Sequence, residues 1–347
     1  MNENFISPNN LSKFADVIFA ENLSVEDFKI INDKNLVVVH ETKNPAYKSI
    51  TYKVKSFNLK ENDLIYCHTD FIDELFSLLR NIKELKNIKL ITHQSDEALT
   101  KSQIYKKPEC ISKWYALNLD ENLDNIEPIP FGLSNKMSMK NLTFVNEIPI
   151  KLNLNNKEDL LYVNFQKNTN RKERDFLYEY FAKYDWAKTK DPKLSLDEYK
   201  EDLSKYSFVL CPWGNGVDTH RIWESLYLGS IAITKRHPTF EHFSDLPILL
   251  VDSYEDITID LLIDYKEKIK DKRLKYEKLN VSWWINSIKD TEEKKDLEVL
   301  KIKQNNIISK AYLIKSKLKM FLFSKYKKIT YFFYRLKKIP KRLKLIK

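Results

Sequence analysis

The chain has 347 residues, 43% hydrophobic and 13% aromatic, which is enough for two cores of ordinary size. Its three cysteines (Cys67, Cys110, Cys211) form an odd count without CxxC spacing, which argues against a disulfide framework or a zinc site and for buried thiols. The net charge of +10 is uneven, because sixteen Lys or Arg and no acid lie between Lys301 and Lys347, so a basic tail follows a mildly acidic body. Residues 1–11 lack a basic start followed by an apolar block, so no signal segment is expected and the protein is expected to stay in the cytoplasm. In chain order, Leu36–Val39 and Leu64–Cys67 read as strands, the latter exiting into His68, Thr69 and Asp70 before a helix pattern through Phe71, Leu75, Leu78 and Leu79. Lys89–Thr92 is a third strand and exits into His93, Gln94, Ser95 and Asp96. Lys113–Leu119 is a fourth, and Ile129–Leu133 closes the region around Gly132. Strands alternating with helices through short polar exits predict a parallel sheet covered on both faces. This first domain is expected over residues 1–150, with the polar, glycine-free stretch 141–159 as the connection to a second over 151–300.

Leu160–Phe165 opens the second series as a strand, with Asn168, Asn170, Arg171 and Arg174 at its turn into a helix. Cations are disfavoured at a helix N-terminus unless an anion is near, a small argument for a phosphate against the plainer reading of a solvated first turn. The most informative stretch is Ser207–Thr234, which holds three of the four glycines in the chain. Ser207–Cys211 is an apolar strand and Pro212–Val217 a glycine-bearing loop. Asp218 or Thr219 can cap a helix whose Ile222, Trp223, Leu226 and Tyr227 recur at helical spacing. Gly229 suits a left-handed helix end before the strand Ile231–Thr234. A loop at the carboxyl end of a parallel strand, leading into a helix N-terminus, favours an anion. By itself a GxG is usually only a turn, and this one lacks both the third glycine of a dinucleotide fingerprint and the GK[ST] of a P-loop. Further on, Pro247–Val251 reads as a strand, and Trp283 and Trp284 as packing aromatics in a helix.

The run CPWGNGVDTHRIWESLYLGSIAIT resembles the C-terminal signature of exostosin-like glycosyltransferases, in which CPxGNGxDTHRxWExLxxGxIPV recurs. It departs at Trp213, a variable position, and at Ala232, where proline is more usual. The shorter segments YCHTD, LITHQSD, KWYALNLD, PIPFGLS and LYVNFQKNTNRKER are similar to other parts of the same group. The resemblance implies an α/β protein of two doubly wound Rossmann-like domains in the GT-B manner, with the active cleft between them. It implies transfer of a sugar from a nucleotide-sugar donor to a glycan or lipid-linked glycan acceptor, with inversion, in surface polysaccharide or glycoconjugate synthesis. Donor diphosphate would meet Gly214, Asn215, Gly216, Asp218, Thr219 and His220. Arg221, Arg171 or Arg174 would neutralise the leaving group, and Glu224 would take the ribose hydroxyls. No Asp-x-Asp occurs, so no metal or other cofactor is expected. An inverting enzyme needs a base from the first domain; the candidates are Asp96, then His93 and Asp70, each of which could equally cap a helix or sit in a turn.

The tail, residues 301–347, spaces Leu318, Leu322, Ile329, Phe333 and Leu336 at helical intervals among lysines until Pro340. No apolar run approaches the roughly 18 residues that span a bilayer. Residues 310–347 are therefore expected to lie on an anionic membrane surface, the inner face of the cell membrane. Nucleic acid is not the expected partner, since the aromatic excess is foreign to a simple phosphate-binding arm. The rival class is a non-catalytic membrane or nucleic-acid adaptor in which the GNG loop is only a turn.

Overall fold

The computed structural model describes residues 4–343 apart from 32, 45–46, 139, 150–151, 153 and 290–297. In the first half the chain forms β1 (Val17–Ser24), β2 (Leu36–Asn44), β3 (Tyr47–Val54), β4 (Ser56–Leu59), β5 (Leu64–His68), β6 (Ile88–His93), β7 (Ile111–Ala116) and β8 (Ile126–Pro128). Seven of these make one sheet in the order β2-β3-β1-β5-β6-β7-β8. From β1 to β8 the neighbours run parallel, whereas β3 is antiparallel to both β1 and β2. The sheet is thus mixed rather than all parallel. β1 and β3 escape the apolar pattern because each carries a buried charge, Glu21 in β1 and Lys53 in β3. Both charges have partners: Tyr52 Oη donates to Glu21 Oε1 at 2.8 Å, and Lys53 Nζ lies 2.6 Å from Glu74 Oε1. No strand forms at Ile129–Leu133. β8 ends at Pro128, and Gly132 takes a left-handed φ of 72°, where a Cβ would collide with the Ile6 carbonyl.

The second half builds β9 (Glu158–Val163), β10 (Ala187–Thr189), β11 (Tyr206–Leu210), β12 (Ile231–Lys235) and β13 (Ile248–Val251). They form an all-parallel sheet in the order β10-β9-β11-β12-β13. The chain then returns to the first half: β14 (Leu300–Lys303) pairs antiparallel with β4, and a helix follows over Asn306–Leu343. The expected tail boundary at residue 301 therefore falls inside a strand of the body. That last helix also runs past Pro340, where its pattern was expected to stop; a proline near a helix end removes one backbone bond and bends the turn without ending it. The side chains of Phe333 and Leu336, and residues 344–347, lie outside the described residues. Among the described residues no helix is long and apolar enough to cross a membrane.

Side chains alternate between the faces of each strand, and so divide the core into three clusters. Ile65, Cys67 and Trp114 belong to one face of the first sheet, and Leu161, Val163 and Phe208 to one face of the second. The third cluster takes the other face of both: Tyr66, Ile91 and Tyr115 share it with Tyr162, Val209, Trp223 and Trp284. The two halves are accordingly joined by a common apolar core. Tyr227 stitches them at its edge, its hydroxyl accepting from Ile6 N at 2.7 Å and donating to Leu279 O at 2.6 Å. Replacing Tyr227 by Phe leaves the buried Ile6 N–H unpaired and should cost about 1–3 kcal/mol. The check is the urea midpoint; a midpoint unchanged within error would show that the joint does not depend on this hydroxyl.

Candidate functional site

β11, the loop after it, the helix His220–Tyr227, Gly229 at φ 71° and β12 reproduce the unit expected from the sequence. Thr219 is the N-cap residue, although its side chain makes no capping bond. The helix holds its place by burying Ile222, Trp223, Leu226 and Tyr227. The loop before it needs a glycine at its closest approach to the first half and is tightly packed at Gly214. A Cβ on Gly216 would stand 2.6 Å from the Asp96 carbonyl oxygen, and one on Gly214 would stand 3.3 Å from Arg174 Nη2. Asn215, between them, donates from Nδ2 to Asp96 Oδ2 at 3.1 Å. The GNG loop is therefore in contact with the polar exit of β6.

Three residues expected to bind donor instead face the first half. Asp218 accepts from Phe131 N at 2.9 Å and from Trp223 Nε1 at 2.8 Å, and its own N–H donates to Asn118 Oδ1 at 2.9 Å. Burial pushes its carboxyl up to about 7 against the pull of those donors. His220 holds Nδ1 2.8 Å from Gly132 O and stacks on Phe131 at 4.0 Å, and burial lowers its pKa. Glu224 is wholly buried. Its Oε1 accepts from Leu142 N at 2.9 Å and Asn141 Nδ2 at 3.2 Å, and its Oε2 from Tyr199 Oη at 2.7 Å. Wholly buried and bonded on both oxygens, Glu224 lines neither of the cavities described below, so it does not face a ribose in this arrangement.

Arg221, one residue from His220, points another way. It lines a cavity of about 860 Å³ together with Lys140, Asn141, Asn164, Gln166, Lys193 and Tyr199. Among the described residues no carboxylate lines this cavity. Asn164 and Gln166 follow β9 and Arg221 follows β11, so the cavity opens at the carboxyl ends of the second sheet. Arg221 Nη1 donates to Tyr199 Oη at 2.7 Å, and Tyr199 passes its own hydrogen bond to Glu224. Burial alone would lower the Arg221 pKa, but Tyr199 and Glu224 outweigh it and the pKa rises. A second cavity, of about 460 Å³, shares Gln166, Pro192 and Lys193 with the first and adds Lys167, Arg171 and Lys190 beside Asp191. Arg174 lines neither cavity. It is buried and spends its guanidinium on three carbonyls, Trp213 O at 3.0 Å, Gln166 O at 2.7 Å and Pro212 O at 2.7 Å. Burial and the neighbouring Arg221 hold its pKa down to about 10. Arg174 thus props the glycine loop from behind, and the loop glycines line neither cavity. The hydroxyls of Thr169 and Thr219, whose side chains flank Gly214, have no hydrogen-bond partner among the described residues.

The three candidate bases separate clearly. His93 is wholly buried, with Nε2 at 3.0 Å from Pro130 O and Nδ1 accepting from Gln94 N at 2.9 Å, so it has no lone pair left for an acceptor. Burial presses its pKa down to about 4. For Asp70, burial acts upward, but His68 and Lys319 outweigh it and hold the carboxyl below the usual range, which weakens it as a base. Asp96 is exposed and is the one of the three that touches the signature loop. Tyr199, Lys140, Asn141 and Lys193 were not singled out from the sequence. The one local signal was the box of Ser195 and Glu198, which starts the helix carrying Tyr199. No family model matches the chain, and no curated protein matches it.

The His93 environment makes stability depend on pH. Between about pH 6.5 and 4 the unfolded chain binds a proton that the folded chain refuses, so stability is full above this window and is lost as pH falls through it, by roughly 3 kcal/mol at most. His93→Gln keeps a donor for Pro130 O and removes the titration. Its melting temperature should fall less between pH 7 and pH 4.5 than that of the parent, and equal falls would exclude His93 as the cause.

Proposed function

We propose that the protein transfers a sugar from a nucleotide-sugar donor to a glycan acceptor, the activity that the resemblance of Cys211–Thr234 to exostosin-like glycosyltransferases suggests. The observation that carries this reading is the cavity lined by Arg221, Lys140 and Lys193, with no carboxylate among the described residues, at the carboxyl ends of an all-parallel sheet. A diphosphate is the anion that such a cavity suits. As the bond to the anomeric carbon breaks, the electron pair leaves with the diphosphate, and fixed positive charge already in place lowers the barrier without a metal. Arg221 keeps its charge because Glu224 balances it through Tyr199. Arg171 lines the adjoining cavity, while Arg174 serves by shaping the loop.

In this reading the acceptor hydroxyl attacks from the side of the first half, and Asp96 takes its proton, with inversion at the anomeric carbon. Asn215 orients the Asp96 carboxylate through Oδ2. The two sheets then play the parts of the two GT-B domains, although they share a core. The basic last helix holds the protein on an anionic membrane, where a lipid-linked glycan is the acceptor at hand.

Melting the protein with UDP, GDP and CMP tests the donor site, since a nucleotide that binds only the folded chain raises the melting temperature. At least one should do so, and Arg221→Met, whose unliganded melt falls because Glu224 loses its counter-charge, should weaken that nucleotide about tenfold or more when the shift is measured from the variant's own unliganded melt, the loss expected for a charge-assisted contact. No shift with any nucleotide would overturn the reading. Asp96→Asn should keep the nucleotide shift and slow transfer by about 10²–10⁴-fold. Full transfer by that variant would remove Asp96 as the base.

A further inference from the structure

A surface helix ordinarily turns its apolar stripe to the core. The side that the helix Asn306–Leu343 turns to the body is instead largely polar, with Leu313 packed against the core of the first sheet. Ser309 Oγ lies 3.1 Å from Lys53 Nζ, Tyr312 Oη donates to Asp73 O at 3.3 Å, and Lys315 pairs with Asp73 at 3.3 Å. Lys319 reaches Asp70 Oδ1 at 3.2 Å and Glu97 Oε2 at 2.7 Å. Ile314, Leu318, Phe321, Leu322, Ile329 and Phe332 fall within an arc of about 100° on the side away from the body. Each is at least 54% exposed. Lys310 and Lys317 border this stripe, and Lys325 lies within it with its ammonium 5.4 Å from the centre of the Phe321 ring. Apolar and aromatic side chains edged by cations fit one surface, a bilayer with anionic headgroups.

Lys315 and Lys319 stand at the border between the two sides of the helix. The carboxylates that Lys319 holds belong to the exits of β5 and β6, and the second exit, residues 94–97, also carries Asp96 and its bond to Asn215. Lys319 is about half exposed, as is Glu97. A pair of that kind is of the same order as the pull of anionic lipid on one lysine, so neither partner outweighs the other by much.

We propose that the apolar stripe of this helix beds on an anionic bilayer and that lipid phosphates compete with Asp70 and Glu97 for Lys319, so that membrane contact loosens the loop bearing Asp96. The proposal rests on the membrane attachment given above and extends it to the site. The bilayer would then lie about one helix diameter from that loop, where the hydroxyl of a lipid-linked acceptor arrives.

The test uses the full chain with vesicles of mixed phosphatidylserine and phosphatidylcholine, and with phosphatidylcholine alone. The chain should sediment with the mixed vesicles only, and Leu318→Ser/Phe321→Ser should abolish this. Asp70→Asn/Glu97→Gln frees Lys319 and should tighten binding about threefold, the order set by one half-exposed pair. Amide exchange over residues 94–97 should rise when mixed vesicles are added to the parent, and should already be high in the double variant. If that variant does not fold, Lys319→Gln gives the same exchange readout. Failure of the parent to bind mixed vesicles would overturn the attachment itself, while leaving the nucleotide melts to judge the donor site separately. Binding that needs Leu318 and Phe321, with affinity and exchange indifferent to the acids or to Lys319, would overturn the competition alone.

Discussion

The carboxylate of Asp218 is the tie on which the rest of the arrangement depends. It is almost fully buried and accepts from the Phe131 N–H of the first half, from the Trp223 indole of its own helix and from the Thr219 backbone. A buried charge of this kind is tolerable only where every donor stays in place. Holding Phe131 fixes Gly132, whose carbonyl meets His220, and holding Trp223 seats the signature helix in the core common to both sheets. The loop 212–217 is then confined between Arg174 on one side and Asp96 on the other, and only glycine fits at its closest point.

Two arginines at helix N-terminal turns of the same sheet show how surroundings divide one chemistry into two tasks. Arg174 bonds backbone carbonyls through all three of its nitrogens and loses basicity to burial, so it acts as scaffold. Arg221 donates to the Tyr199 hydroxyl, lies over its ring at 5.0 Å, has an indirect counter-charge in Glu224 and lines the cavity. A counter-ion one hydroxyl away keeps a cation charged without quenching its attraction for an anion, which direct pairing would do.

The signature unit was legible because each of its parts has a local cause: glycines where backbones nearly touch, an apolar period of helical spacing, a left-handed residue before the next strand. β5 was legible for a similar reason, being apolar at all but its last position, and β6 through Ile88, Leu90 and Ile91, although Lys89, Thr92 and His93 are polar. β1 and β3 were not, since Glu21 and Lys53 are buried by partners that come from other elements. The site was legible in part. His220, Glu224 and Tyr227 lie at i, i+4 and i+7, so the sequence placed them on one helix face, and that face bonds to Gly132, Leu142 and Ile6. Spacing defines a face but not what will cover it; the ribose role expected of Glu224 came from the resemblance, and what meets its carboxylate is Leu142, Asn141 and Tyr199. Lys140, Lys193 and Tyr199 reach Arg221 from segments far away in sequence, and no local pattern records such meetings.

The return of the chain to its first half bears on the order of synthesis. β4 has β14 as its sheet partner, and the buried ammonium of Lys53 is covered from one side by Ser309. Both covering segments lie some 240 residues or more downstream of what they cover. A nascent chain on the ribosome therefore shows an open strand edge and a lysine without its full enclosure until those later segments have emerged. The first half cannot settle as a finished unit while the second is being made. Translation speed across the second half then sets how long that edge is exposed to other chains.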